Sequence, residues 1–158
     1  MTREEKRQQV IYSCIQQQEH IASIAKQEMD SAQQQSNDYG ANVDRYDSYR
    51  TKMMRARDMY AKQLSNANAS LRVLQELQRM PLADVAGHGA IVVTDKQTYL
   101  LGIGLGKVLV PYGADEGQPQ ETLFAVSAQT PVYLALKGCR PGDTLTIAGQ
   151  SQTVREVF

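Results

Sequence analysis

The chain is poor in the residues that most often carry chemistry. Its 158 residues include two cysteines, two histidines and no tryptophan. Cys14 and Cys139 stand far apart and outside any Cys-x-x-Cys spacing. That argues against a disulfide scaffold or a cysteine zinc site and fits a reducing cytoplasm. His20 sits beside Glu19 with no second imidazole at metal-ligand spacing, and His88 lies in the turn-like Gly87-His88-Gly89. Self-contained hydrolytic or metal catalysis therefore has little to work with. No nucleotide-binding P-loop and no nucleophile-elbow motif occur, and Ser151 has no histidine nearby to activate it. No apolar run approaches the roughly 18 residues that a membrane span needs. The opening Thr2-Arg3-Glu4-Glu5-Lys6-Arg7 lacks the apolar core of a signal peptide. Net charge is missing as well, since 17 Lys and Arg balance 17 Asp and Glu. A zero balance excludes a protein held to nucleic acid by bulk charge. With 42% hydrophobic and 22% charged residues the chain is nevertheless globular.

What is present falls into two regimes. Residues 1–80 contain no proline and only Gly40, while all five prolines and every other glycine follow. The boundary falls near Met80-Pro81, because proline cannot continue a helix and disfavours it in the residue before. The domains expected are thus 1–80 and 81–158.

In the first, Ile11, Cys14, Ile21, Ala25 and Ala32 recur at helical steps. Val43, Tyr46, Met53, Tyr60, Leu64, Ala67, Leu71 and Leu74 continue the rhythm beyond the turn-rich segment around Gly40. The spacing predicts an antiparallel coiled-coil hairpin with arms of about 30–35 residues, roughly 45–50 Å long. Its seam should weaken near the tip, where Arg50 and Arg57 take positions that call for apolar side chains.

The second regime predicts strands over 90–93, 98–101, 107–110, 122–126, 144–147 and 152–157. One short helix interrupts them: Thr130 as N-cap, Pro131 at the first helical position and Gly138 as the stop. The fold class is α+β, a helical hairpin followed by a small sheet with one helix. Gly102, Gly104 and Gly106 are spaced Gly-x-Gly-x-Gly with no helix after them, so they are read as hairpin or bulge glycines rather than a phosphate loop.

Two charged groups near the hairpin tip admit a functional reading. Asp38, Asp44 and Asp47 lie close together; clustered carboxylates can hold Mg²⁺, although a turn and a helix start would use the same residues. Behind them Arg45, Arg50, Lys52, Arg55 and Arg57 form a basic stretch that suits either an anionic surface or a solvated helix face.

The string Thr130-Pro131, Ala135-Leu136, Gly138 and Gly142-Asp143 resembles the C-terminal signature of Gre-type transcription elongation factors. The segment from Tyr99 to Lys107, with Ile103-Gly104 and Gly106-Lys107, is similar to a divergent branch of Gre-like proteins. The resemblance implies an N-terminal coiled coil, an FKBP-like C-terminal domain and RNA polymerase as partner. It implies that the C-terminal domain binds the polymerase through Thr130, Pro131, Ala135, Leu136, Gly138, Gly142 and Asp143; from the basic stretch of the hairpin, Arg45, Arg50 and Arg55 are the further candidate contacts. The coiled coil would enter the secondary channel, where two tip acids of an Asp-x-x-Glu-Asn-Ala-Glu-Tyr pattern help position Mg²⁺ for cleavage of backtracked RNA. The factor would be no enzyme itself and would carry no cofactor of its own, the Mg²⁺ belonging to the polymerase site. If Tyr46 matches the tyrosine of that pattern, the acid positions fall on Tyr39 and Asn42, and the neighbouring Asp38 and Asp44 become the candidates. A cytoplasmic monomer is expected, reaching nucleic acid only through the polymerase.

Three rivals differ in kind: a polymerase modulator without cleavage, a coiled-coil adaptor, and a peptidyl-prolyl isomerase. The last needs an aromatic-lined pocket, for which residues 81–158 offer only Phe124, Phe158, Tyr99, Tyr112 and Tyr133.

Overall fold

The computed structural model describes residues 2–38, 48–111 and 120–158. Two long helices, α1 (Arg3–Asp38) and α2 (Ser48–Arg79), form an N-terminal helical hairpin. A six-stranded sheet follows, formed by β1 (Ile91–Thr94), β2 (Thr98–Leu101), β3 (Gly106–Pro111), β4 (Gln120–Val126), β5 (Thr144–Ile147) and β6 (Gln150–Val157). The short helix α3 (Pro131–Leu136) comes between β4 and β5. The expected α+β class is therefore the observed one. The chain divides into two compact units, one comprising the residues up to Ile15 with Val73–Phe158, the other Gln16–Arg72.

In the sheet unit the strand order is β3-β4-β2-β1-β6-β5. All neighbours run antiparallel except β2 and β4, whose parallel register pairs Thr98 with Leu123 and Leu101 with Val126. β1 and β2 read as nearly unbroken apolar runs because both faces of the sheet are covered. On one face Ile91, Leu100, Val108, Val110 and Leu123 meet Val10, Ile11, Cys14, Leu74 and Leu77 from the helix ends. On the other, Val92, Tyr99, Leu101, Val154 and Val157 meet Tyr133 and Leu136 of α3. The edge strand β3 keeps the alternation of one-sided burial, with Val108 and Val110 inward and Lys107 and Leu109 outward.

Arg7 ties these elements together. It is 2% exposed, and its guanidinium donates to the carbonyls of Leu77 (2.8 Å), Gly89 (3.2 Å) and Met80. It thus supplies donors to carbonyls at and just past the end of α2 and to one in the following linker, with its charge on the favourable side of the helix dipole. Burial pulls its pKa down, and its Nε has no partner among the described residues. The start of α1 is also capped. Thr2 Oγ1 accepts from Glu5 N at 3.1 Å, while Glu5 Oε2 accepts from Thr2 N at 2.7 Å, a capping box.

The unit Gln16–Arg72 is built differently. Its buried positions on α1 are Gln18, Ala25, Ala32 and Ser36, and on α2 Ala67. Met29, Met53, Tyr60, Leu64 and Leu71 are half-buried. Every large side chain buried below 2% among the described residues lies instead in the sheet unit. Ile21, expected on the apolar stripe, is 39% exposed. The seam runs through positions 18, 22, 25, 29, 32 and 36, a three-four alternation that leaves position 21 on the flank. Val43 and Tyr46 lie outside the described residues.

Candidate functional site

The seven C-terminal signature residues all lie in the sheet unit. Thr130 is the N-cap of α3: its Oγ1 accepts from Tyr133 N at 3.2 Å and donates to Ser127 O at 2.8 Å. Pro131 stands at the first turn, where a missing N–H costs nothing. Leu136 is fully buried beneath the helix, and Ala135 packs partly buried against the same core. Gly138 has φ +84; its N–H donates to Ala86 O at 2.8 Å, and Cys139 O accepts from Ala86 N at 2.9 Å. Gly142 has φ +97 and donates to Val154 O at 2.8 Å. Asp143 closes the turn by accepting from Arg140 N at 2.9 Å. Local backbone geometry or core packing thus gives each of these residues a structural role.

Their joint product is a surface feature. Pro131, Val132 and Ala135 of α3 face Thr146, Ile147 and Ala148, enclosing an apolar groove of about 320 Å³. Beside it Leu134 of α3 is 63% exposed. Ala148 and Gly149 make the β5–β6 turn with φ 51 and 81, the left-handed pair of a type I′ hairpin. No aromatic side chain lines this groove. Tyr99 and Tyr133 belong to the core under α3 and Phe158 to the opposite core. Phe124 is partly exposed on β4, and Tyr112 lies outside the described residues.

At the other candidate region the described residues give part of the picture. Asp38 is the last residue of α1, exposed, and its Oδ1 accepts from Gln34 Nε2 at 2.8 Å. Asp44, Arg45 and Asp47 lie outside the described residues, as do Tyr39 and Asn42. Among the described residues no group of three His, Cys, Asp or Glu could hold a metal ion.

The basic stretch of α2 splits by helical geometry. At 100° per residue, positions 50 and 57 share one side and positions 52, 55 and 62 the other. Burial follows, with Arg50 and Arg57 half-buried and Lys52, Arg55 and Lys62 exposed. Arg57, expected to weaken the seam, is accommodated by pairing. Its Nη1 donates to Gln33 Oε1 across the helices at 2.7 Å, and its Nη2 meets Asp58 Oδ1 at 2.9 Å. Tyr49 OH donates to Gln35 Oε1 at 3.5 Å.

The remaining chemically capable residues have structural settings. Burial pushes the Cys14 thiol up to about 12. Cys139 is raised too, by burial and then by Asp143, and its thiol donates to Ala135 O at 3.5 Å. Neither cysteine is an activated thiolate. Gly102, read as a close-approach glycine, has φ +125, and a Cβ there would fall 2.7 Å from His88 Nδ1. No described helix is long and apolar enough to cross a membrane.

No family model matches the chain, and no curated protein matches it either. Among solved structures, that of the transcription factor Gfh1 aligns over 91% of this chain and 91% of its own, at 14% identity and a TM-score of 0.29. Likeness at that level carries no argument about this chain's chemistry.

The sequence reading missed Arg7 and the groove. Arg7 stands in a charged opening segment that looks solvated throughout. The groove depends on β5 and α3 meeting, which no local pattern encodes. The capping box was open to detection, since Thr2 and Glu5 have the Thr-x-x-Glu spacing.

Proposed function

We propose that this chain is a Gre-like transcription elongation regulator. On this reading the sheet unit binds RNA polymerase around α3, and the hairpin enters the secondary channel. The observation that carries the proposal is the signature from Thr130 to Asp143, whose residues build α3 and its turns and flank the apolar groove. The groove and exposed Leu134 offer the apolar surface that such a partner needs. Lys52, Arg55 and Lys62, on the outer face of α2, suit an anionic environment such as a polymerase channel. The chain acts through the polymerase, supplying contacts and carboxylates and relying on the partner's Mg²⁺.

A second reading retains binding without transcript cleavage. It is favoured by a sequence observation: the acid positions of the resembling pattern fall on Tyr39 and Asn42.

Pull-down with purified core polymerase tests binding, with Leu134→Asp and Val132→Asp as groove variants expected to weaken capture at least tenfold. Cleavage of a backtracked complex with Asp38→Ala and Asp44→Ala then separates the two readings. Loss of cleavage in either variant supports the first, and binding without cleavage by the unmodified chain supports the second. Absence of binding ends both. A stable oligomer in sedimentation, paired along the helices, would favour the adaptor.

A further inference from the structure

We propose that the helix pair of Gln16–Arg72 is a peroxide-sensitive device whose trigger is Met53. Little buried apolar surface holds these helices together. The buried seam residues are Ala25, Ala32 and Ala67 together with the polar Gln18 and Ser36. Alanine allows close approach but buries little area, so the larger half-buried side chains carry a disproportionate share of the pairing. Met53 is one of them, in the seven-residue series it forms with Tyr60, Ala67 and Leu74.

Met53 also borders an opening. With Ala32, Gln35, Ala56 and Tyr60 it lines a notch of about 170 Å³ on the side of the helix pair. A water molecule occupies about 30 Å³ of liquid, so hydrogen peroxide, only slightly larger, fits. Met53 is therefore within reach of a small oxidant, while its half-buried side chain still contributes to pairing.

The reaction balances without a further reagent. The thioether lone pair attacks one peroxide oxygen, the O–O bond breaks, that oxygen stays on sulfur, and the other leaves as water. Sulfur is oxidised by two electrons and the peroxide reduced by two. The product is a polar sulfoxide, which methionine sulfoxide reductases return to the thioether. Within the notch the new S=O group meets Ala32 and Ala56 beside the polar Glu28, Ser31, Gln35 and Tyr60. The amide of Gln35 already donates to Ser31 Oγ at 3.3 Å. The bulkier, polar S=O takes the place of apolar contact between the helices and draws water into the seam, which loosens the pairing locally. Met54 and Met59 on the same helix are exposed and serve as internal controls, since their oxidation adds polarity where solvent already reaches.

The test treats the full chain with graded hydrogen peroxide, assigns each sulfoxide by peptide mass spectrometry and follows amide exchange. The expected result is at least a tenfold loss of protection in residues 25–36 and 50–64 as Met53 oxidises, with residues 91–101 unchanged. Met53→Leu should keep its protection under the same treatment, whereas Met54→Leu and Met59→Leu should lose theirs as the unmodified chain does. Reductase treatment should restore it. Full oxidation of Met53 with protection intact would overturn the proposal. So would equal loss in Met53→Leu, or a Met53 that stays reduced when Met54 and Met59 are fully oxidised.

Discussion

Replacing Arg7 tests whether a buried, unpaired guanidinium can stabilise a fold. Arg7 has no carboxylate partner among the described residues; its hydrogen bonds go to the carbonyls of Leu77, Met80 and Gly89. Hydrogen bonds from a charged donor contribute about 1.5–3 kcal/mol each, and a cation at a partly buried helix C-terminus adds up to about 2 kcal/mol. Against them stands the desolvation of the guanidinium, which is several kcal/mol and is visible in its lowered pKa. Leu77 O keeps a second donor in Met80 N at 3.2 Å, so its loss is softened. The net expectation for Arg7→Ala is a destabilisation of about 3–5 kcal/mol, including lost stem packing. Arg7→Lys keeps the charge but not the fork and should lose about half as much. Arg7→Met decides the matter, because it keeps apolar bulk, removes the desolvation and takes the Arg7 donor from Met80 O and Gly89 O. Loss of that donor puts it about 2–4 kcal/mol below the unmodified chain. Urea unfolding followed by circular dichroism gives the free energies, and amide exchange over residues 77–90 localises the loss. An Arg7→Met variant as stable as the unmodified chain would show that desolvation cancels the hydrogen bonds, and the clamp would be refuted.

Three further outcomes follow from local geometry. Ala148 holds φ 51 in the β5–β6 turn, so Ala148→Asn should raise stability by about 0.5–1 kcal/mol, read as a higher urea midpoint at unchanged m-value. Gly102→Ala should destabilise by more than about 2 kcal/mol. Its Cβ would meet His88 Nδ1 at 2.7 Å and Gly89 N at 3.3 Å with φ held at +125, and adding His88→Ala should recover only part of the loss. Cys14 should resist alkylation in the folded chain near pH 8 while Cys139 reacts slowly. Because the folded Cys14 value is raised from 9.0 to about 12, its contribution is whole below pH 9 and declines as pH rises from 9 to 12. Cys14→Ala should flatten that alkaline slope, and an unchanged slope would locate it elsewhere.

Much of the architecture was legible because its signals are local. The absence of proline and near absence of glycine before Met80 announced long helices. Thr130-Pro131 and Gly138 bracketed α3 at both ends, because N-caps, first-turn prolines and left-handed stops depend only on neighbouring backbone. Strand positions were legible from the alternation of Val, Ile, Leu and Thr, whereas the cover on both faces of β1 and β2 emerged only with the structure. The strand ends differed by a residue or two where pairing extends past the pattern, as at Gln150 and Ser151, which pair with β5. The parallel β2–β4 register was not legible, since it is set by a long connection rather than by either strand.

Side chains whose partners are distant in sequence account for what stayed hidden. Arg7 looks like solvent-facing charge until residues 77–89 are brought to it, and Ile21 looks like core until the three-four seam passes it by. Arg57 shows the reverse case: an apparent flaw in the apolar stripe is completed by Gln33 from the opposite helix. The first-half glutamines acquire a role by the same logic. Gln18 takes a buried seam position, while Gln33 and Gln35 engage α2 through Arg57 and Tyr49. A seam of alanines and amides gives pairing more directional than hydrophobic, because an amide satisfied in one register is stranded when the helices slip by a residue. Gln33→Leu separates the two contributions. If area dominated, the added apolar surface would protect amides 50–64; if direction dominates, Arg57 loses its acceptor and protection there falls severalfold. The structure supports the second outcome, and a gain in protection would refute it.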